Sequence, residues 1–158
     1  MIVSTYLLLK TLHILSSVVL VGVGFGSAFY LFCVNRSKSV EAQAIVARFV
    51  VLADWIFTTP AVILQPVTGI ALLHMAGWSI STPWVAWSFI LYFITGACWL
   101  PVVWLQIRMR RMAEHAAKTG GPLPILYWRY ARWWEGLGYP AFACMMVVYF
   151  LMVNKPSL

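Results

Sequence analysis

Long apolar runs alternate with short polar connections along the whole chain. The runs cover residues 4–34, 45–75, 84–107 and 125–153. Each is at least as long as the roughly 20 apolar residues that a helix needs to cross the hydrocarbon core of a bilayer. The pattern therefore predicts an all-α membrane protein, with four transmembrane helices in one domain that covers residues 1–158.

The connections between these runs differ in charge. The first, residues 35–44, carries Arg36 and Lys38, whereas the second, residues 76–83, carries no charge. The third, residues 108–124, carries four basic residues: Arg108, Arg110, Arg111 and Lys118. Because Lys and Arg concentrate in cytoplasmic loops, we expect the first and third connections inside and both chain termini outside. Short connections make sequential helices neighbours, which predicts an up-down-up-down four-helix bundle.

The composition agrees with a membrane protein that stays embedded in the lipid bilayer. The sequence is 63% hydrophobic and 9% charged, with a mean hydropathy of +0.86, which is unusual for a soluble domain. The first run is too long for a signal peptide and no small-residue cleavage site follows it, so we expect it in the mature protein. The net charge of +7 lies mainly beside the apolar runs, which disfavours nucleic-acid binding. The three cysteines are far apart in apolar surroundings, which favours packing over disulfide or metal chemistry.

Two ionisable residues stand inside the first apolar run. Lys10 and His13 are three positions apart and therefore share one helical face. Ionisable groups at membrane depth are costly and usually face a cavity, a partner or a cofactor. A haem would supply both partners, because its iron would bind the imidazole and its propionates would bind the ammonium. The alternative is that His13 only hydrogen-bonds a neighbouring helix while Lys10 extends to the surface.

Two further polar residues enter this hypothesis, and the third histidine does not. Gln65 lies at a depth similar to that of His13 in the second run and could hydrogen-bond it or another helix. His74, at the outer end of the same run, is a candidate second axial ligand, although its height favours a place at the interface or beside the propionates. His115 falls in the basic connection, where we expect it to be solvated.

Two other groups of residues suggest contacts between helices. Asp54, Arg129, Arg132 and Glu135 fall at similar depth near the inner face and predict an ion-pair cluster between the second and fourth helices. A proton path or a quinone-headgroup site is the functional alternative there. Gly22 and Gly26 form a G-x-x-x-G pattern, which lets another helix approach closely and suggests a homodimer interface.

The motifs around these residues resemble known families. Leu9–Ile14, which includes Lys10 and His13, resembles the first helix of HemJ-type protoporphyrinogen oxidases and of the copper-resistance CopD membrane domain. Pro60–Gly69 is similar to their second helix. Arg132, Glu135 and Pro140, with the closing Lys155–Pro156, resemble the HemJ ending. The chain as a whole resembles a bacterial family of unknown function in that superfamily, numbered 2269, which is described as predicted integral membrane proteins.

The resemblance implies a location and a cofactor. We expect a multi-pass protein of the bacterial inner membrane that binds haem b, because the first-helix histidine that matches His13 is a haem ligand in HemJ. HemJ also has a functional lysine in its third helix, and residues 84–107 contain neither lysine nor histidine. The resemblance therefore implies haem binding more strongly than HemJ-like oxidoreductase activity.

The leading hypothesis is thus a haem protein in electron transfer or a haem-linked redox step, with a quinone or a redox protein as partner. A copper-handling protein of CopD type is the first alternative. Its soft ligands would come from a scattered set of sulfur residues: Met75, Cys144, Met145 and Met146. The second alternative is a cofactor-free accessory subunit whose polar groups only bind helices together. No serine or cysteine stands at a recognisable spacing from a histidine and an acid, which disfavours hydrolytic chemistry.

Overall fold

The computed structural model describes residues 2–156, with side chains from Ser4 onwards, and this part of the chain is helical without β-strands. The elements are α1 (Ile2–Val34), α2 (Val40–Ala53), a π-helical turn (Asp54–Thr58), α3 (Thr59–Ala76), α4 (Pro83–Thr119) and α5 (Ile125–Asn154). Because α2, the π-helical turn and α3 are continuous, they form one candidate span, Val40–Ala76. With α1, α4 and α5 this makes four helices long and apolar enough to cross a membrane, as predicted.

The second membrane segment begins earlier than the apolar pattern predicts. Ser39 is its N-cap, and the Ser39 hydroxyl accepts a hydrogen bond of 3.2 Å from the backbone N–H of Ala42. Glu41 in the first turn adds a negative charge where the helix dipole favours one. Capping therefore starts the helix at Val40, before the apolar run at residue 45.

The third membrane segment ends later than predicted, which corrects the expectation of a long basic loop. α4 continues to Thr119, and the helix stops at Gly120, whose φ of 65° belongs to the left-handed region. Residues 108–119 are mostly Arg, Met, Ala, Glu and Lys, which are strong helix formers whatever their polarity. Four basic residues therefore lie on α4 itself: Arg108, Arg110, Arg111 and Lys118. Arg110 also lies 3.6 Å from Glu114, one turn further on.

The main hydrophobic core lies at the end of the bundle that carries connections 35–39 and 120–124, which we call the basic end. Leu31, Met109 and Tyr127 are at its centre, each at most 1% exposed. The Tyr127 hydroxyl donates a 2.6 Å hydrogen bond to Oδ1 of Asn35. This bond ties the start of α5 to the end of α1.

Away from the basic end, the helices pack mainly in two pairs. α4 packs extensively on α5 and α1 on α3, whereas α1 and α5 contact each other much less. Two hydrogen bonds bridge these helix pairs: the Tyr92 hydroxyl donates to the carbonyl of Val62 at 2.6 Å, and the Tyr149 hydroxyl to that of Ser17 at 3.0 Å. The sparse contact between the pairs leaves space inside the bundle.

Candidate functional site

His13 lies at the interface between α1 and α3, where it is half-buried. Its Nδ1 is 2.8 Å from the hydroxyl of Thr68, a residue that is only 2% exposed. The Thr68 hydroxyl also donates to the carbonyl of Leu64 at 2.6 Å. No hydrogen bond reaches Nε2 of His13 from any residue in the described range. One ring nitrogen is thus held by the protein and the other is left without a partner.

Gln65 fixes the backbone of α1 beside this histidine. Its side-chain amide donates to the carbonyl of His13 and to the hydroxyl of Ser16, both at 2.7 Å. The Ser16 hydroxyl in turn donates to the carbonyl of His13 at 3.1 Å. The structure therefore brings the predicted pair His13 and Gln65 together, because the Gln65 side chain bonds the His13 backbone and the Gln65 backbone interacts with the imidazole.

Close packing on α3 further confines the imidazole. A Cβ atom built on Gly69 would lie 3.3 Å from Cε1 of His13, a tight contact. Thr68 and Gly69 were not singled out as site residues from the sequence. Thr68 could have been found from its spacing, because it lies three positions after Gln65 and both polar side chains therefore share one face of α3.

Lys10 and the two other histidines lie at the surface of the chain. Lys10 is exposed on α1, one turn before His13. His74 is exposed in the last turn of α3, and His115 is exposed on α4. His74 is six positions beyond Thr68, the residue that contacts His13, and this spacing corresponds to about 9 Å along a helix. The two histidines are therefore not level.

The glycines predicted to form a dimer interface leave open space on α1. A Cβ atom on Gly22 or Gly26 would meet nothing within 4 Å. Neither glycine therefore serves close packing against another described helix of this chain. A homodimer through Gly22 and Gly26 stays a prediction.

A cavity of about 570 Å³ lies between the helices, in the region of sparse packing. Residues from α1, the π-helical turn, α3, α4 and α5 line it, and most of its wall is apolar. Its polar lining includes Asp54, Thr58, Gln106, Trp134 and Glu135. His13 is not among the lining residues, so the cavity and the histidine are separate features.

Asp54 enters the cavity wall at the π-helical turn. It is 4% exposed, and its Oδ1 accepts a 3.0 Å hydrogen bond from the Thr58 hydroxyl. The carbonyl of Asp54 accepts a second hydrogen bond, from the Thr59 hydroxyl at 2.8 Å. Proline residues and π-helical turns both disturb the regular hydrogen bonding of a helix, and Pro60 lies two residues after the end of this turn. Such turns are frequent at functional sites.

The predicted ion-pair cluster does not form among the described residues. Glu135 pairs with Arg36 of α1 at 3.5 Å, whereas Asp54 faces the buried interior. Arg129 and Arg132 are exposed on α5 and make no ion pair in this range. Asp54 and Glu135 both line the same cavity. Depth in the membrane does not specify which way a side chain points around its helix. The expected ion pairs of Arg129 and Arg132 therefore do not follow from depth alone.

Clusters of classical metal ligands do not occur in residues 2–156, where no three His, Cys, Asp or Glu side chains come together. The sulfur residues considered for copper differ in burial, since Met145 is buried whereas Met75 and Met146 are exposed. A copper site at these residues stays a prediction.

Comparison with known proteins identifies a family for the chain. No curated protein matches the chain, and no solved structure matches it. One family model covers residues 7–156, and this confirms the family predicted from the sequence motifs. The chain therefore belongs to the family described as predicted integral membrane protein (DUF2269).

Proposed function

We propose that this membrane protein binds one b-type haem with His13 as an axial ligand, and that it serves electron transfer or a haem-linked redox step. The observation that supports this proposal is the unequal treatment of the two ring nitrogens of His13. Thr68 contacts Nδ1, and Nε2 has no hydrogen-bond partner among the described residues.

The short hydrogen bond from Thr68 to Leu64 favours one of the two tautomers of His13. A hydroxyl has one hydrogen to donate, and Thr68 donates it to the carbonyl of Leu64. Its oxygen then accepts a hydrogen bond from Nδ1–H of His13, and Nε2 keeps a free lone pair. A hydrogen bond to the non-ligating nitrogen is how proteins fix the tautomer and orientation of a metal-binding histidine.

The unpaired Nε2 of His13 is costly because His13 lies within a membrane-spanning segment. Hydrocarbon offers no water to satisfy a polar atom, so an unpaired ring nitrogen within a membrane-spanning segment carries a desolvation cost. A ligand bound at Nε2 would remove that cost. Haem is a better candidate than a bare Zn or Cu ion, because one histidine without clustered acidic or sulfur ligands makes a poor site for either metal.

The residues present fit one axial ligand from this chain and not two. His13 supplies a neutral imidazole, whereas His74 is about 9 Å further along α3 than the residue level with His13. His13 does not line the cavity. A haem bound to His13 would therefore lie outside the cavity. Lys10, exposed one turn away, is the residue of this chain that would pair with the propionates. When bound, a haem would supply one-electron redox chemistry.

A haemin titration of the detergent-purified protein tests this proposal. We expect saturable binding with a shift of the haem absorption band, and no such shift with His13→Ala. If the wild type shows no saturable shift, the haem proposal is wrong. A Cu(I) titration of the same sample would then distinguish copper handling from a cofactor-free accessory subunit, for which the hydrogen bonds of His13 and Gln65 would serve only to hold α1 on α3.

A further inference from the structure

Three of the side chains that line the cavity each carry a buried polar atom without a hydrogen-bond partner. The atoms are Oδ2 of Asp54, Oε1 of Gln106 and Nε1 of Trp134, and none of these atoms has a hydrogen-bond partner among the described residues. The side chains of Asp54 and Gln106 also interact with each other. All three side chains line the cavity, and each residue is at most 5% exposed. An unpaired buried polar group is destabilising, and such groups usually have a partner in native proteins. Three of them at one cavity indicate that a ligand supplies the missing hydrogen bonds.

Small residues leave room for that ligand. Gly24 on α1, Gly96 on α4 and Gly138 on α5 all line the cavity, and a Cβ atom on any of them would meet nothing within 4 Å. Glycine disfavours a helix relative to larger residues, so these positions are not explained by helix formation. The resulting volume of about 570 Å³ falls within the range of roughly 300–1,000 Å³ that is usual for ligand pockets.

Aromatic rings form much of the apolar wall. Phe25 of α1 and Phe142 of α5 stack with their centroids 4.9 Å apart, and Trp99 and Tyr92 of α4 also line the cavity. Aromatic faces pack well against another planar ring, with an offset or edge-to-face arrangement. The wall therefore suits a flat, apolar molecule.

The unpaired atoms define the polar groups that such a molecule needs. Trp134 Nε1–H can only donate, and Gln106 Oε1 can only accept. A matching ligand therefore needs an acceptor such as a carbonyl for Trp134 and a donor such as a hydroxyl for Gln106. A molecule that converts between a carbonyl form and a hydroxyl form can provide both. A carboxylate headgroup matches poorly, because Asp54 and Glu135 both line the cavity and like charges repel.

We propose that the cavity is a binding site for the headgroup of a lipid-soluble quinone or quinol, with Asp54, Gln106 and Trp134 as its hydrogen-bonding residues. A quinone carbonyl would accept from Trp134, and a quinol hydroxyl would donate to Gln106 or Asp54. The apolar tail of such a molecule is compatible with the lipid surroundings of the bundle. This proposal is independent of haem binding, since His13 does not line the cavity.

Quenching of tryptophan fluorescence by decylubiquinone tests the site, because Trp99 and Trp134 lie in its wall. We expect saturable quenching in the detergent-purified wild type. Gly96→Leu fills the cavity and should weaken the affinity about tenfold or more. Gly136→Leu is the matched control: it makes the same change on α5 at an open position that does not line the cavity, and should retain wild-type affinity.

A second variant tests the polar contacts without filling the cavity. Trp134→Phe removes the N–H donor and keeps an aromatic ring, so we expect an affinity about two- to tenfold weaker. The quinone titration is carried out without added haemin, so its outcome is separate from that of the haemin titration. The proposal is overturned if quenching is not saturable, if Gly96→Leu binds as well as Gly136→Leu, or if decylbenzene, which has no donor or acceptor, displaces the quinone with equal affinity.

Discussion

His13 on α1 and Thr68 on α3 are joined by a 2.8 Å contact between the imidazole Nδ1 and the threonine hydroxyl, across two membrane-spanning segments. Beside it, Gln65 of α3 bonds the carbonyl of the same histidine. Both the ring and the backbone of His13 are therefore positioned by α3. Any function of this histidine depends on Thr68 and Gln65 as well as on His13 itself.

Removing the Thr68 hydroxyl should release the His13 ring while keeping the shape of the site. For Thr68→Val we expect haemin affinity to fall about 10- to 100-fold, the usual effect of losing the hydrogen bond behind a metal ligand. Thr68→Ser keeps a hydroxyl at the same position and is the control, with affinity near that of the wild type. Equal haemin affinity for the valine and serine variants would show that the hydrogen bond does not support ligation.

Enlarging Gly69 should strain the same contact. An Ala Cβ would lie 3.3 Å from His13 Cε1, so the ring must move by a few tenths of an ångström. We expect Gly69→Ala to lower the free energy of unfolding by about 1 kcal/mol relative to Gly22→Ala, whose Cβ would meet open space. Denaturant unfolding in mixed micelles measures the difference. A Gly69→Ala protein at least as stable as Gly22→Ala would contradict this packing.

The hydrogen bond between Tyr127 and Asn35 should contribute to stability at the basic end. Tyr127→Phe would leave Oδ1 of Asn35 unpaired in a residue whose Nδ2 already has no partner among the described residues. We expect a loss of about 1–3 kcal/mol in the free energy of unfolding. Tyr130→Phe is the control, because no hydrogen bond of its hydroxyl occurs in the described range. Equal stability of the two variants would mean that the Tyr127 bond is unimportant.

Charge distribution predicts the orientation of the chain in the membrane. A phosphatase reporter that is active only outside the cytoplasm should be active when fused after Leu158 and inactive when fused after Gly121. The reversed pattern of activity would overturn the predicted topology, in which both termini lie outside.

The sequence predicts the helical segments well, because a bilayer imposes one simple requirement on length and polarity. It predicts their ends less well. At Ser39 a cap, and after Arg108 a run of strong helix formers, extend helices beyond the apolar residues. Hydropathy records where lipid can lie, whereas helix ends depend on capping and on breakers such as Gly120.

The candidate sites, like the helices, were predicted only in part. His13 and Gln65 could be identified because polar residues are rare at membrane depth. Thr68 was missed because a hydroxyl is common within membrane helices and has no distinctive pattern. The cavity could not be predicted, since it depends on how Gly24, Gly96 and Gly138 of three different helices come together.

The haem content of the purified protein tests the central proposal most directly. Wild type, His13→Ala, His74→Ala and His115→Ala are expressed with a haem precursor, purified in detergent, and compared by haem-to-protein ratio and reduced absorption spectrum. We expect about one haem per chain in the wild type and in the two exposed-histidine variants, and a loss of haem only with His13→Ala. A colourless wild type, or a His13→Ala protein that retains its haem, would contradict the proposal.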